Sequence, residues 1–475
     1  MDPNSAKRSN GSSRNLNSFV GRRAAITTLV LLTAALRFAH LDLLWVEEAY
    51  PMAAAAEILR GKMLYRDIWF DKPPLYALIY TLWRAVPGWP LRVAGVVFVC
   101  GSCYLAWRFV RELAGEDAGL LAASLLALHL TFDIPSAVMA LAPDLLTLPL
   151  HLAAVYFAWR GRGFASGLCA GVALLFNSKA LFIAVACLLW TPGLPFLAGF
   201  AAPNVLAGGW LLANGALGAY WREVWVWGSR YSADSYLSNP LREGVVRTAN
   251  WLGFHAALVA GLWVAVRRHT SWRMLLWLAI SFAAVCAGLR FFPRYYFQLL
   301  PVFVVLGAKG LMSMRLQCRV LILLTVLIPV LRFGPRYISL VRGDRDWSDL
   351  RLMKDSEDAA ALVRSVARPG DRLLVWGYRP DIFVFSGVPA ATPFLDSQPM
   401  NGVLADRHLV SSKATAVDLA TGNLQIAERA KPEIIVDGLG PINPGLAVGH
   451  YPQLHIDGYK VAGRTESSVV YVVRR

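Results

Sequence analysis

The chain has 475 residues, of which 56% are hydrophobic and only 16% are charged. A soluble domain carries charge on about a quarter of its residues, so this composition excludes an ordinary soluble protein and predicts a membrane one. The net charge of +16 does not indicate nucleic acid, because no basic stripe coincides with a recognised binding fold; in a membrane chain, excess Lys and Arg collects in cytoplasmic loops and against anionic lipid.

The opening stretch "MDPNSAKRSNGSSRNLNSFVGRR" is polar and basic and predicts a disordered cytoplasmic tail over 1–24. The apolar run that follows, "AAITTLVLLTAALRFAHL", is too long for the core of a signal peptide and lacks a small-residue cleavage site, so it reads as a span. Apolar runs predict eleven transmembrane helices, at 25–43, 91–110, 118–132, 144–159, 164–178, 180–192, 195–214, 251–267, 273–290, 295–313 and 319–333. The segment "LYALIYTLWRAV" after Pro74 is too short to span and predicts a helix lying in the interface. With the N-terminus inside, Arg108, Arg111, Arg160, Arg162, Arg267, Arg268 and Arg273 fall in cytoplasmic loops, as do Lys309, Arg315 and Arg319. The outer loop 133–143 has no Lys or Arg, in agreement with the positive-inside rule. Outer segments 44–72, 215–250 and 290–294 break that rule, and anion binding is the natural reason to keep cations there. All six cysteines lie in apolar segments, which predicts no disulfide framework and no cysteine-based zinc site.

From Arg336 the character changes. A helix, a Pro-Gly-Asp turn and strand-like runs "RLLVWG", "KPEIIVDGL" and "SVVYVVRR" predict a small α/β domain over 336–475. By span parity it lies on the outer face with residues 44–72, and it reads as an independent unit apart from any site in the membrane part.

The first outer segment, "LWVEEAYPMAAAAEILRGKMLYRDIWFDKPPL", is the most informative part of the chain. Glu47 to Leu59 predicts a helix stopped by Gly61, on which Glu47 and Glu48 point about 100° apart and cannot both enter one site. Pro73 and Pro74 start the next helix and fix the direction of Lys72.

An acidic pair followed by "AY", then "LRGKMLYRD" and "DKPPL", resembles the first outer loop of membrane glycosyltransferases of the GT-C fold. The resemblance is to the bacterial branch that includes lipid A aminoarabinose transferases, lipopolysaccharide galacturonic acid transferases and relatives of protein O-mannosyltransferases. "APDLLTLPLHLAAVYFAW", "LLFNSKALF" and "FPRYYFQLLPVFVVLGAKGL" extend it over about residues 20 to 335. The fold implied is a polytopic α-helical membrane protein followed by a small soluble α/β domain. The activity implied is transfer of a sugar from a polyprenyl-phosphate donor to a lipid, glycan or protein acceptor. It would take place at the outer face of a bacterial cytoplasmic membrane, in contact with membrane lipids and without nucleic acid. The resemblance places the catalytic acids at Glu47 and Asp144 and the loop lysine at Lys72. Substrate-binding candidates beside them are Glu48, Tyr50, Arg66, Asp67, Lys179, Arg294 and Tyr295. Two departures stand out: many relatives have Asp where Glu47 stands, which leaves Glu47 and Glu48 both open, and the usual Lys-Gly reads Lys179-Ala180, with Ser178 in place of a preceding Thr.

The chemistry suits these residue types. A leaving phosphate gains charge, which Lys or Arg beside it stabilises, and an acceptor hydroxyl needs a carboxylate to take its proton. No cofactor is evident and no His or Cys cluster calls for a metal; a divalent ion held by carboxylates stays open. Each candidate also has a plainer reading. Glu47 and Glu48 suit a helix's first turn, and Asp144 after Pro143 suits a helix cap. Lys72 and Lys179 suit snorkelling, Arg66 and Asp67 a mutual surface pair, and Tyr295 an aromatic belt around Arg294. A polytopic transporter or a non-catalytic envelope-assembly protein is the alternative class, although a transporter usually keeps its ionisable groups at mid-membrane.

Overall fold

The computed structural model describes residue 24 and residues 26–474, apart from 234–236, 269, 345, 404–413 and 415. Nearly all of the expected N-terminal tail lies outside the described residues. The first elements are helices α1 (Ile26–Phe38) and α2 (Val46–Leu59). After a loop come α3 (Pro74–Leu78), continued by a 3-10 turn over Ile79–Trp83, then α4 (Trp89–Ala114), α5 (Glu116–His129), α6 (Pro135–Val138) and α7 (Pro143–Trp159). Helices α3, α4, α6 and α7 all carry Pro in their first two positions, where a missing N–H leaves no bond unmade.

Next come α8 (Gly163–Leu174), α9 (Ala180–Leu188) and α10 (Leu194–Ala213). Helices α8 and α10 cross so closely that a Cβ on Gly167 would collide with the Phe196 carbonyl, the small-residue packing typical of helices in lipid. The chain then forms α11 (Leu217–Tyr220), a π-helical turn over Trp221–Val226, α12 (Trp227–Ala233) and α13 (Pro240–Phe254). A 92° bend leads into α14 (Ala256–Arg267), followed by α15 (Trp272–Cys286), a 3-10 turn over Pro293–Gln298 and α16 (Leu300–Met312). Two last helices, α17 (Leu316–Leu323) and α18 (Leu327–Arg342), are joined by a 3-10 turn.

Each of the eleven apolar runs holds a helix, but length and composition alone qualify only three among the described residues to cross a membrane. These are Trp89–Ala114, Leu194–Ala213 and Leu316–Arg342; the bent pair α13–α14 adds a fourth if counted as one span. The last of the three crosses the expected domain boundary at 335/336 because Arg336, read as the start of a polar domain, is a buried helix residue bonded to Asp349.

The C-terminal segment packs α19 (Ser348–Val366), α20 (Asp381–Ser386), α21 (Gln398–Asn401) and α22 (Val417–Ala430) around a four-stranded sheet. Its strands are β1 (Leu373–Trp376), β2 (Ile434–Asp437), β3 (Tyr459–Arg464) and β4 (Val469–Val473), in the order β1-β2-β4-β3. Strands β1 and β2 run parallel, with Leu373 opposite Ile434, and are buried on both faces as covered parallel strands are. Alternate residues Leu373, Val375, Ile434 and Val436 join one continuous core that reaches α2 and the membrane helices. The segment is therefore docked on residues 44–72. Trp45 Nε1 donates to Asp349 (2.9 Å), Trp69 N to Pro393 O (2.9 Å) and Lys62 Nζ to Ala390 O (3.1 Å).

Candidate active site

The helical spacing of Glu47 and Glu48 sends them to different surroundings. Glu48 is fully buried and takes both terminal nitrogens of Arg92, at 3.0 and 2.8 Å. Its Oε1 also accepts the Leu141 N–H (2.8 Å), while Arg92 and Arg37 donate to Met139 O. Glu48 thus holds the loop that leads into α7. Glu48, expected beside the substrate, has both its oxygens engaged by a buried arginine. Glu47 turns the other way, to Arg294 Nη1 at 2.6 Å, with its side chain 18% exposed.

Asp144 stands in the first turn of α7 and accepts from Asn177 Nδ2 at 3.1 Å. The loop that carries Asn177 carries Lys179 as well. Lys179 Nζ lies 3.0 Å from the centre of the Tyr295 ring, bonds Ala284 O (3.0 Å) and is within electrostatic reach of Asp144.

Lys72 is fixed from both sides. Its carbonyl accepts the Tyr65 hydroxyl (2.7 Å), and past Pro73 and Pro74 the Leu75 N–H bonds Leu175 O (3.0 Å). Its ammonium meets Asp71 Oδ2 at 2.5 Å and faces the Tyr231 ring at 5.7 Å. Burial opposes charge on Lys72, but Asp71 and Tyr231 outweigh it and hold the pKa above the ordinary lysine value. Arg290, buried between Leu289 and Phe291, packs its guanidinium 3.7 Å from the same Tyr231 ring. Both flanking residues have a φ of 48°, a left-handed conformation that is strained for bulky side chains and accumulates at functional sites. Tyr231 and Tyr295 thus string together four cations: Lys72, Arg290, Arg294 and Lys179.

The C-terminal segment, expected to stand apart, supplies two groups to this cluster. Tyr378, just after β1, lies within electrostatic reach of Arg294, Asp71 and Tyr231. Asp396 is 1% exposed, and burial, together with Asp71, pushes its pKa up to about 7 against the pull of Lys72.

Besides Glu48, two sequence candidates stay outside the cluster. Arg66 and Asp67 pair with each other at 2.8 Å, and Asp67 also caps the Met63 N–H (2.8 Å), so both are spent on closing their own turn. Tyr50 is buried against the cluster, stacked on Phe70 with ring centres 4.9 Å apart and 6.3 Å from the Tyr378 ring. Among the described residues, no group of three or more His, Cys, Asp or Glu side chains is placed to hold a metal. Sequence reasoning missed Arg92, Arg290, Tyr231, Tyr378 and Asp396. Arg92 carried a usable signal, a charge at the head of an apolar run; Tyr378 and Asp396 carried none, since only the folding back of the C-terminal segment brings them in.

Apolar helices, a long loop between α1 and α4 and an α/β segment docked over it make up a GT-C-type architecture. The chain is similar in structure to ArnT from Cupriavidus metallidurans in its crystal structure bound to undecaprenyl phosphate. The TM-score is 0.61 at 14% identity, over 94% of this chain and 97% of that one. The apo structure of the same ArnT aligns with a TM-score of 0.60 at 14% identity, over 95% and 98% of the two chains. At that identity the likeness is one of fold. No family model and no curated protein matches the chain.

Proposed function

We propose that the chain is a glycosyltransferase that moves a sugar from a polyprenyl-phosphate donor to an envelope acceptor. The carrying observation is the clustering of Lys72, Arg290, Arg294 and Lys179 about Tyr231 and Tyr295, beside Glu47 and Asp144. A fold shared with a protein crystallised with undecaprenyl phosphate supports the same reading. In the reaction, the bond from the anomeric carbon to the phosphate oxygen breaks and its electron pair stays on the phosphate. The acceptor oxygen bonds the carbon, and its proton passes to a carboxylate, for which Glu47 is the first choice. Arg294 has five N–H donors, enough to orient Glu47 and stabilise the departing phosphate together. Lys72 and Arg290 would share the rest of that charge, while Asp144, steadied by Asn177, faces the Lys179 side of the cluster.

The reading includes eleven spans in a bacterial cytoplasmic membrane, with the cluster on the outer face. The preferred acceptor is lipid A or lipopolysaccharide, ahead of another envelope glycan or protein. The direct contacts of Trp45 and Trp69 with the C-terminal segment support a common side for both regions. A deletion strain should accumulate one lipid-linked sugar, which the intact gene clears and a Lys72→Ala allele does not. An unchanged lipid-linked sugar pool in the deletion strain would contradict the proposal.

A further inference from the structure

The transfer reaction creates an electrostatic problem for its own site. The donor is a phosphodiester with one negative charge; once the sugar leaves, the product is a monoester whose second proton dissociates with a pKa near 6. A cluster of Lys72, Arg290 and Arg294, with Lys179 pulled down by burial to about 7, holds that product more tightly than the donor. Glu47 stands against Arg294 and Asp144 against Lys179; two further carboxylates stand against Lys72. Asp71 contacts the Lys72 ammonium at 2.5 Å. Asp396 reaches the same place from the C-terminal segment, because the Trp69 N–H bond to Pro393 O (2.9 Å) pins the 391–398 loop beside residues 69–72. Asp396 Oδ1 accepts the Gln398 N–H (2.8 Å), which fixes the carboxyl within that loop. The other ionisable groups facing Asp396 are Asp71, Lys72, Tyr50 and Tyr378.

We infer that Asp396 is a positioning residue for product release: behind Asp71, which contacts the Lys72 ammonium, it adds a second negative charge near that group and weakens the hold of the site on the spent polyprenyl phosphate. The C-terminal segment is thereby part of the reaction cycle, through one buried charge. The inference rests on the proposed transfer reaction and on Lys72 as a phosphate ligand.

The test is the binding of undecaprenyl phosphate to the purified full chain in detergent at pH 8, where a carboxyl titrating near 7 is ionised. Lys72→Ala should weaken binding about tenfold or more, and Asp396→Asn should tighten it by on the order of tenfold, as removal of a like charge predicts. Asp396→Asn keeps an oxygen for the Gln398 N–H; Asp396→Ser, which also keeps one, guards against a folding defect and should tighten binding in the same direction. A merely structural role for Asp396 would loosen binding or leave it alone. Unchanged or weaker binding in both Asp396 variants, with Lys72→Ala impaired, overturns this inference and leaves the phosphate site standing. Full binding by Lys72→Ala overturns the phosphate site itself.

Discussion

Glu47 and Glu48 are neighbours in sequence with opposite fates, and their environments predict opposite phenotypes. Glu48 neutralises Arg92 where both side chains are at most 1% exposed. Glu48→Gln leaves a buried guanidinium without its counter-charge, which costs about 3–5 kcal/mol. The detergent-purified variant should therefore melt well below the parent. Glu47→Gln loosens only a partly exposed pair with Arg294, so its melting temperature should stay close to the parent's. Thermal melts of the two variants side by side check this. The 100° step of a helix made the divergence of the two acids legible in the sequence. Their partners were not, since Arg92 and Arg294 are 44 and 247 positions away from them.

At the scale of elements, the π-helical turn Trp221–Val226 braces the lysine loop. Glu223 on it accepts the Phe70 N–H at 2.9 Å, two residues before Lys72. Burial pushes the Glu223 carboxyl up to about 8. A folded-state pKa above the unfolded value near 4.3 means that the folded chain holds this proton more tightly. Stability from this group is therefore lost as pH rises from about 4.5 towards 8. Glu223→Gln keeps the bond to Phe70 and removes the titration. Its melting temperature should gain on the parent's steadily between pH 5 and pH 8, and a gap that stays constant over that range contradicts the assignment. The helix opening at the acidic pair was legible because the alanine run and Gly61 mark it clearly. Strand β3, "YKVAGR", was not, because it is a largely exposed edge strand without apolar alternation. The last helix outran its expected end because Arg336 reads as polar surface until Asp349 is seen beside it.

For the whole molecule, composition and the apolar runs sufficed for a helical membrane protein, and the loop motifs sufficed for its GT-C architecture. The docking of the C-terminal segment could not be read, because contacts such as Trp45 to Asp349 join positions 304 apart and have no local signature. That docking requires residues 44–72 and the C-terminal segment to share one side of the membrane. Single cysteines at Arg66 and Lys354, in a cysteine-free background, should react with a membrane-impermeant reagent in intact cells. Cysteines at Arg162 and Arg268 should react only after the membrane is opened. Labelling of Arg66 and Lys354 from opposite sides would contradict the composite site.

The central claim is that Glu47 takes the acceptor proton while the cations hold a polyprenyl phosphate. It is tested most directly by single-turnover transfer with the purified full chain and the lipid-linked sugar that accumulates in the deletion strain. Glu47→Gln should bind that donor nearly as the parent does and transfer its sugar about a hundredfold more slowly or worse. Transfer at the parental rate by Glu47→Gln would contradict the account.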